Sequence, residues 1–501
     1  GQLVCLLHGP AGCGKTTVVD LLIEYARAFC DNLQDFTFTT NTIIISAMSG
    51  VAATLLMGET THSALYLNKK TELQAEEVEK FQETRLVIID EISFASVNDI
   101  KKINKNMMEL KQEKFLPFGG VHIIFSGDFR QLEPVGQGQQ TIFNTRGSEM
   151  ETLMNCYIEL RGLHRFSKDK PYGEILQRFR DGTVKADDIN KINTRQVTDP
   201  RAIPDNCRYA TYLNKDRDAI NSALFAGRCF FHRDINNKVN DAILIFSDNI
   251  QIKDSRKVFV PLKNYHSFWN TCTGCDINPA SPYDSGRGEP VLQIFRTCRV
   301  MLSTNISVAS GQANGTQALI KRIILNTNVT PATVQLENGC TVNAVTASQV
   351  DYIELEHCNT RIQPAIFSVR IKEYCRNVNI IKPTEQVTKG KERETVQMKF
   401  NQFPLLINNA TTGHKLQGTG VDQLFVHEWK YGVKNYPYVV LSRVTTLEGL
   451  FLRRPLQTDL SKYAMPVNLL SFLQRVQQRH TIVPWTSENY NDVLNYSYVS
   501  L

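Results

Sequence analysis

Hydrophobic and polar positions follow a recurring pattern along the first 130 residues. Short apolar runs fall at residues 3–7, 42–47, 86–89 and 121–125. Amphipathic stretches separate these runs, the clearest at 16–29 and 97–110. Strands that alternate with helices predict parallel βαβ units, whose functional loops follow the carboxyl ends of the strands.

The rest of the chain changes pattern several times. Helical periodicity appears at 172–180 and 215–225, and residues 231–300 are irregular. Residues 300–400 carry Val, Ile and Thr in short runs broken by turn residues, which predicts a small β-domain. The α/β pattern returns at 403–452. We therefore predict four segments: a first domain at 1–156, a second at 157–230 plus 403–480, an inserted region at 231–402, and a tail at 481–501.

Composition narrows the class of protein only a little. The chain has 501 residues, of which 42% are hydrophobic and 21% charged, as in folded proteins of about three domains. The net charge of +6 permits an anionic partner without identifying one. No apolar run reaches the roughly 18 residues that cross a membrane. The 12 cysteines are scattered, which is typical of a reduced, intracellular chain, and the single Cys272-x-x-Cys275 pair is a weak indication of zinc.

A glycine-rich segment lies between the first strand and the first helix. Its sequence fits G-x-x-x-x-G-K-[ST], in which backbone N–H groups and a helix N-terminus cradle phosphates. Lys15 is predicted to reach the β- and γ-phosphates, and Thr16 to bind magnesium. The predicted ATP-binding residues of this loop are Gly9, Pro10, Ala11, Gly12, Cys13, Gly14, Lys15, Thr16 and Thr17.

Two further strand ends carry polar residues suited to hydrolysis. The run at 86–89 ends in Asp90, a predicted magnesium ligand, and Glu91, a predicted general base for the attacking water. A kinase has less need of the second carboxylate, so the pair favours hydrolysis. Gln131 follows the strand at 121–125 and is predicted to contact the γ-phosphate or the attacking water.

Taken in order, the motifs of this chain resemble those of the Pif/RecD-like helicases of superfamily 1B. The matching segments span residues 9–452 and keep the family order, which is more specific than any one motif. They are 9–16, 46–53 with 58–63, 90–93, 127–135, 163–166, 300–302 with 314–316, 412–419 and 438–444.

The resemblance implies an α/β fold of two RecA-like P-loop NTPase domains, with a β-rich, SH3-like barrel inserted in the second. It implies a helicase that uses ATP and Mg²⁺, translocates 5′ to 3′ on single-stranded DNA and unwinds tailed duplexes in replication, repair, recombination or transposition. Arg165 and Arg443 would reach the γ-phosphate, and Gly418 would approach the phosphates by its backbone. The residues implied to contact DNA are Ser49, Gly50, His62, Asn314, Thr316, Thr412, His414 and Lys415.

Other features of the resemblance are less specific. Residues 66–82 are predicted to hold a strand-separating wedge, and Phe129, Tyr66 and Trp429 could stack on bases, although each fits a core position better. Gly413 stands where the family usually has an apolar residue. The family's adenine-recognising glutamine precedes the phosphate loop, and we expect the natural N-terminus to lie upstream of Gly1.

Several alternatives stay open at the level of sequence. An RNA-directed motor would share this chemistry, since nothing visibly reads a 2′-hydroxyl. An inactive nucleotide-binding scaffold is disfavoured by the intact catalytic residues, and a small-molecule kinase by the paired arginines. The chain could also be the helicase portion of a larger protein, such as a rolling-circle (Helitron-like) transposase or a viral replication protein. We expect an intracellular location, nuclear in a eukaryote.

Overall fold

The computed structural model describes residues 1–479 except 34–35, 70, 135–139, 145–146, 254–256, 262–288, 308–309, 361, 382–392 and 434. The chain forms two compact units, Gly1–Tyr212 with Thr412–Leu501 and Leu213–Thr411. The Cys272/Cys275 pair and the tail predicted at 481–501 lie outside the described residues. Within the described part of the chain, no helix is long and apolar enough to span a membrane.

A six-stranded, all-parallel sheet forms the first half of the first unit. Its order is β3-β2-β4-β5-β1-β6. Side chains on both faces of β4 are buried, which explains its unbroken apolar run. The strands are β1 Val4–His8, β2 Ile43–Ala47, β3 Glu59–Thr60, β4 Leu86–Asp90, β5 His122–Gly127 and β6 Cys156–Glu159.

Helices connect these strands, as the alternating pattern predicts. The phosphate loop follows β1, Glu91 follows β4, and Asp128 follows β5. Because neighbouring strands of the sheet are parallel, these three loops lie at the same edge. The helices are α1 Lys15–Cys30, α2 Gly50–Leu55, α3 Thr61–Ala64, α4 Ala75–Gln82, α5 Val97–Lys111 and α6 Glu149–Leu153.

The second half of the first unit has its own parallel sheet. Strands β7 Arg208–Thr211, β22 Leu424–Val426 and β23 Leu450–Leu452 pair in parallel. Helices pack around a separate apolar core that includes Leu424 and Val440. These helices are α7 Lys170–Asp181, α8 Ala186–Asn193, α10 Gly413–Leu416 and α11 Tyr436–Leu441.

The last described helix, α12 Val467–Arg479, follows the second half in sequence but packs against the first. Its Leu469, Phe472 and Val476 belong to the core of the six-stranded sheet. The Phe472 ring lies 5.4 Å from the Phe129 ring, in an edge-to-face arrangement. This packing differs from the predicted second domain, which includes residues up to 480, because short-range periodicity identifies a helix and not the core that it joins.

The second unit is mainly antiparallel β-structure, as its Val/Ile/Thr-rich pattern predicts. Helix α9 Asn214–Phe231 precedes sheets of order β10-β9-β19-β18, β11-β8-β15-β14 and β17-β16-β13-β12-β20. The SH3-like barrel stays a prediction. The strands are β8 Lys238–Phe246, β9 Asp248–Lys253, β10 Phe259–Pro261, β11 Val291–Phe295, β12 Arg299–Leu302, β13 Gln317–Leu325, β14 Ala332–Gln335, β15 Thr341–Thr346, β16 Val350–His357, β17 Ile366–Val369, β18 Lys372–Ile381, β19 Arg393–Gln402 and β20 Leu405–Ile407; β21 Ala410–Thr412 leads back to the first unit.

Candidate functional site

The phosphate loop has the backbone geometry that anion binding requires. Gly12 and Gly14 have φ of 78° and 95°, in the left-handed region that glycine adopts at low cost. The first turn of α1 carries no acidic residue, so its positive end is not neutralised. The Lys15 ammonium donates to the carbonyl oxygens of Gly9 and Pro10 at 2.8 and 3.0 Å. The loop thus combines backbone donors with a lysine that can bind phosphate oxygens.

The two adjacent carboxylates lie in different environments. Asp90 ends β4 and accepts a hydrogen bond from the Ser126 hydroxyl at 2.7 Å. Glu91 has a φ of 53°, a strained conformation of the kind found at functional sites, and its side chain is buried. Burial and the neighbouring Asp90 raise the pKa of Glu91. A buried carboxylate with a raised pKa is suited to accepting a proton.

The two predicted arginines belong to the second half of the first unit and lie close to the phosphate loop of its first half. Arg165 packs on the phosphate loop so tightly that a Cβ at residue 12 would lie 2.3 Å from the Cβ of Arg165. The Arg165 guanidinium donates to the Ser442 carbonyl at 3.4 Å. Arg443 is 1% exposed, and burial together with the Arg165 charge lowers its pKa to about 10. A buried guanidinium (Arg443) and a half-buried one (Arg165) beside a phosphate loop favour a ligand with several negative charges.

The Arg443 guanidinium is held by neutral acceptors. Its Nε donates to the Val439 carbonyl at 2.8 Å, and its Nη2 to the Ser442 hydroxyl at 2.7 Å. Its Nη1 donates to the carbonyls of Leu416 and Thr419, both at 3.3 Å. These bonds fix the orientation of the side chain, and its acceptors among the described residues are carbonyl and hydroxyl oxygens.

The segment 412–419 contacts the general-base candidate directly. The Gln417 amide Nε2 donates to a Glu91 carboxylate oxygen at 2.9 Å and to the Ser93 hydroxyl at 3.2 Å. Gly418 has a φ of 82°, and a Cβ there would lie 3.4 Å from the other carboxylate oxygen of Glu91. The same Cβ would lie 3.9 and 4.0 Å from side-chain atoms of Ala52 and Leu55. The approach of Gly418 to the phosphates stays a prediction.

A buried polar network joins the phosphate loop to α7. The Asp128 carboxylate is fully buried and accepts two hydrogen bonds from the Arg180 guanidinium, at 3.0 and 3.2 Å. The Tyr438 hydroxyl donates to Asp128 at 3.4 Å and accepts the Ala11 N–H at 3.2 Å. Burial alone would raise the pKa of Asp128, but the Arg180 charge and a hydrogen bond from His8 hold it well below its usual value.

Gln131 lies beside this network. The backbone N–H of Gln131 donates to the backbone carbonyl of Asp128 at 2.9 Å. The Gln131 side chain is buried, and its amide Oε1 has no hydrogen-bond partner among the described residues. Such an orphaned acceptor costs free energy unless a ligand or water satisfies it. A water-contacting role for Gln131 fits this arrangement.

The predicted DNA contacts of the first unit lie at the starts of three short helices. The Ser49 hydroxyl caps α2 by accepting the Ala52 N–H at 3.2 Å, and Gly50 is the first residue of that helix. His62 lies in α3 and is half-buried. Thr412, which is buried, precedes α10, where His414 and Lys415 are half-buried.

The two predicted contacts in the second unit differ from each other. Asn314 is exposed, whereas Thr316 is buried and its hydroxyl donates to the Gly311 carbonyl at 2.7 Å. Of the aromatic candidates, Phe129 lies in the core, while Tyr66 and Trp429 are partly buried and pack beside core clusters. The core position predicted as the better fit for Phe129 is therefore confirmed.

Sequence reasoning did not select Gln417, Tyr438 or Arg180 as site residues. Gln417 and Tyr438 lie in the matching segments 412–419 and 438–444, so their place in a motif could have identified them. Arg180 lies in no such segment, and only its burial opposite Asp128 identifies it.

Comparisons with known proteins agree with the motif order. Residues 2–188 match the sequence model described as PIF1-like helicase. The ATP-dependent DNA helicase PIF1 of Candida albicans is 22% identical over 93% of this chain, and that of Xenopus laevis is 24% identical over 90%. The chain spans 54% and 60% of the length of these relatives.

The solved structures show the same fold. The crystal structure of Bacteroides Pif1 bound to single-stranded DNA superposes with a TM-score of 0.64 at 20% identity, over 95% of this chain and 94% of that one. The predicted α/β fold with two RecA-like halves is thus confirmed. The chain is thus similar to the PIF1-like helicase family, through the family model over residues 2–188 and through relatives that match most of its length.

Proposed function

We propose that the chain is an ATP-dependent DNA helicase that moves 5′ to 3′ on single-stranded DNA and unwinds tailed duplexes. One observation carries the proposal. The phosphate loop and Glu91 of the first half meet Arg165 and Arg443 of the second at one site. A site that needs groups from both halves couples hydrolysis to their relative movement, which is what a motor requires.

The residues present fit ATP with magnesium. The loop N–H groups and Lys15 would hold the triphosphate, and the oxygen donors of Thr16 and Asp90 suit a hard cation. Magnesium, when bound, neutralises charge on the phosphates. Glu91 would accept the proton of the attacking water, and the two arginines would stabilise the charge that develops on the transferred group, an effect worth roughly 10³–10⁵ in rate.

The nucleic-acid partner is proposed from the relatives. Those named above are ATP-dependent DNA helicases, and the Bacteroides protein was solved with single-stranded DNA. By this likeness we propose single-stranded DNA contacts for Ser49, Gly50, His62, Thr412, His414 and Lys415 in the first unit, and for Asn314 and Thr316 in the second. We also retain the four proposed segments, except that α12 joins the core of the first, together with the wedge at 66–82 and a role in replication, repair, recombination or transposition. An intracellular and, in a eukaryote, nuclear location goes with these roles.

ATP hydrolysis measured with single-stranded DNA, with a matched RNA and with neither tests this proposal. Strong stimulation by DNA alone is expected. Stimulation by RNA alone would favour the RNA motor, and no hydrolysis under any condition would favour the inactive scaffold. A 5′-tailed duplex should then be unwound and a 3′-tailed one left intact; the reverse preference would refute the polarity.

A further inference from the structure

We propose that Gln417 is a positioning residue for the general base Glu91 and couples that base to the DNA-contacting segment 412–415. The inference rests on the proposed function, because it concerns how DNA stimulates hydrolysis. It assigns a role to a side chain for which the motif comparison gave none.

Gln417 contacts the base and the nearby Ser93 directly. Its side chain is buried, and its amide nitrogen donates to both Glu91 and Ser93. Its amide oxygen is buried without a hydrogen-bond partner among the described residues. Turning the amide over would place that oxygen against the Glu91 carboxylate, so the observed orientation is the one that the carboxylate requires. The side chain is therefore oriented by the base.

Gln417 and Gly418 face different oxygens of the Glu91 carboxylate. Gln417 bonds one carboxylate oxygen, Oε2. Gly418 faces the other, Oε1, and has no side chain to cover it. A general base must have one oxygen within hydrogen-bond reach of its water and must be held there. Gln417 holds the carboxylate through one oxygen and leaves the second for the water.

Glu91 lies among several charged groups, whereas Gln417 is neutral. The charged groups that act on Glu91 are Asp90, Lys15, Arg443 and Arg165. Gln417 contacts the same carboxylate and carries no charge. Its removal would therefore alter the orientation of the base more than the electrostatic field at the site, and should change kcat more than substrate binding.

The segment that carries Gln417 links the proposed DNA contacts to the base. Gln417 lies two residues after Lys415, and its backbone N–H donates to the backbone carbonyl of His414 at 3.4 Å. On either side of it, the carbonyls of Leu416 and Thr419 accept from Arg443. One short segment thus contacts both the base and an arginine of the ATP site. A shift of 412–415 on binding DNA would move Gln417 with it.

The test compares steady-state hydrolysis by the whole chain and by Gln417→Met, which keeps a similar shape but lacks the donor. With saturating single-stranded DNA, kcat should fall about ten- to hundredfold, as expected for losing a hydrogen bond to a charged group. The KM for ATP and the DNA concentration that gives half-maximal stimulation should change less than about twofold. The ratio of stimulated to unstimulated rates should fall as well. Gln474→Met, an exposed glutamine of α12, is the matched control and should behave as the wild type.

An unchanged kcat, or a higher KM with kcat intact, would overturn the positioning role. Equal losses with and without DNA would overturn the coupling. If Gln417→Met does not fold, Gln417→Asn provides the same test, since it keeps the donor but sets it one methylene back; a wild-type kcat there would also overturn the proposal. A wild-type chain without DNA-stimulated hydrolysis would instead remove the proposed function itself.

Discussion

The buried ion pair between Asp128 and Arg180 gives a sharp prediction about stability. Asp128 follows β5 in the first half of the first unit, and Arg180 lies in α7 of the second. Replacing Arg180 by Met keeps an unbranched apolar stem and removes the guanidinium. Among the described residues, Asp128, 0% exposed, would then keep the Tyr438 hydroxyl at 3.4 Å and the backbone N–H of Arg130 at 3.1 Å, with the Nε2 atom of His8 3.4 Å away.

The expected cost is large because one charge stays buried. Removing one partner of a buried pair typically costs about 3–5 kcal/mol. For a large domain, about 1 kcal/mol lowers the melting temperature by about 2 °C, so the midpoint of the first unit should fall by about 6–10 °C. Replacing both residues, as Asp128→Asn with Arg180→Met, should cost less than the sum of the single changes, because no charge is then left unpaired.

Thermal unfolding followed by circular dichroism measures this effect. The matched control is Arg201→Met, which breaks the Arg201–Asp199 pair at 3.0 Å, where the arginine side chain is 89% exposed. Exposed pairs are worth about 0–1 kcal/mol, so that midpoint should move by no more than about 2 °C. Equal shifts for Arg180→Met and the control would refute the reasoning.

The pH dependence of the same variant follows from the sign of the shift. Arg180 holds the pKa of Asp128 well below its usual value, so the pair contributes its full stability above the ordinary carboxyl pKa and loses it only as pH falls through the lower, folded value. In Arg180→Met, burial without the guanidinium raises the pKa of Asp128, and protonation then relieves the unpaired charge. The gap in melting temperature between wild type and variant should therefore narrow as pH is lowered. A gap that widens would contradict this assignment.

Three substitutions test the ATP site through hydrolysis and binding assays. Lys15→Ala should reduce hydrolysis about a hundredfold or more, because the lysine stabilises phosphate charge; near-normal turnover would overturn the loop assignment. Glu91→Gln should retain ATP binding and lose turnover, whereas lost binding would argue against a general base. Arg443→Ala should lower kcat about 10³-fold with a far smaller change in affinity for single-stranded DNA; an effect on DNA affinity alone would move Arg443 out of the ATP site.

The parallel sheet of the first half was predictable because its strands are short, apolar and separated by amphipathic helices. The run at 86–89 became the buried centre of β4, and the loop after 3–7 became the phosphate loop. The packing of α12 was not predictable in the same way. Periodicity reports that one face of a helix is apolar, but the choice between two neighbouring cores depends on contacts between residues more than 300 positions apart, such as Phe129 and Phe472.

The residues of the candidate site also fall into two groups, those that local sequence identifies and those that only long-range contacts identify. Residues such as Lys15 and Glu91 occupy fixed places after strands, so strand periodicity and motif spacing identify them without a structure. Gln417 and Arg180 matter because of what lies opposite them, and their partners Glu91 and Asp128 belong to the other half of the unit. Hydrogen bonds of this kind join residues at no characteristic sequence separation, so a sequence pattern does not reveal them. In each of these contacts between the two halves, motif spacing identifies the residue of the first half, Glu91 or Asp128. Its partner in the second half, Gln417 or Arg180, is identified by the structure.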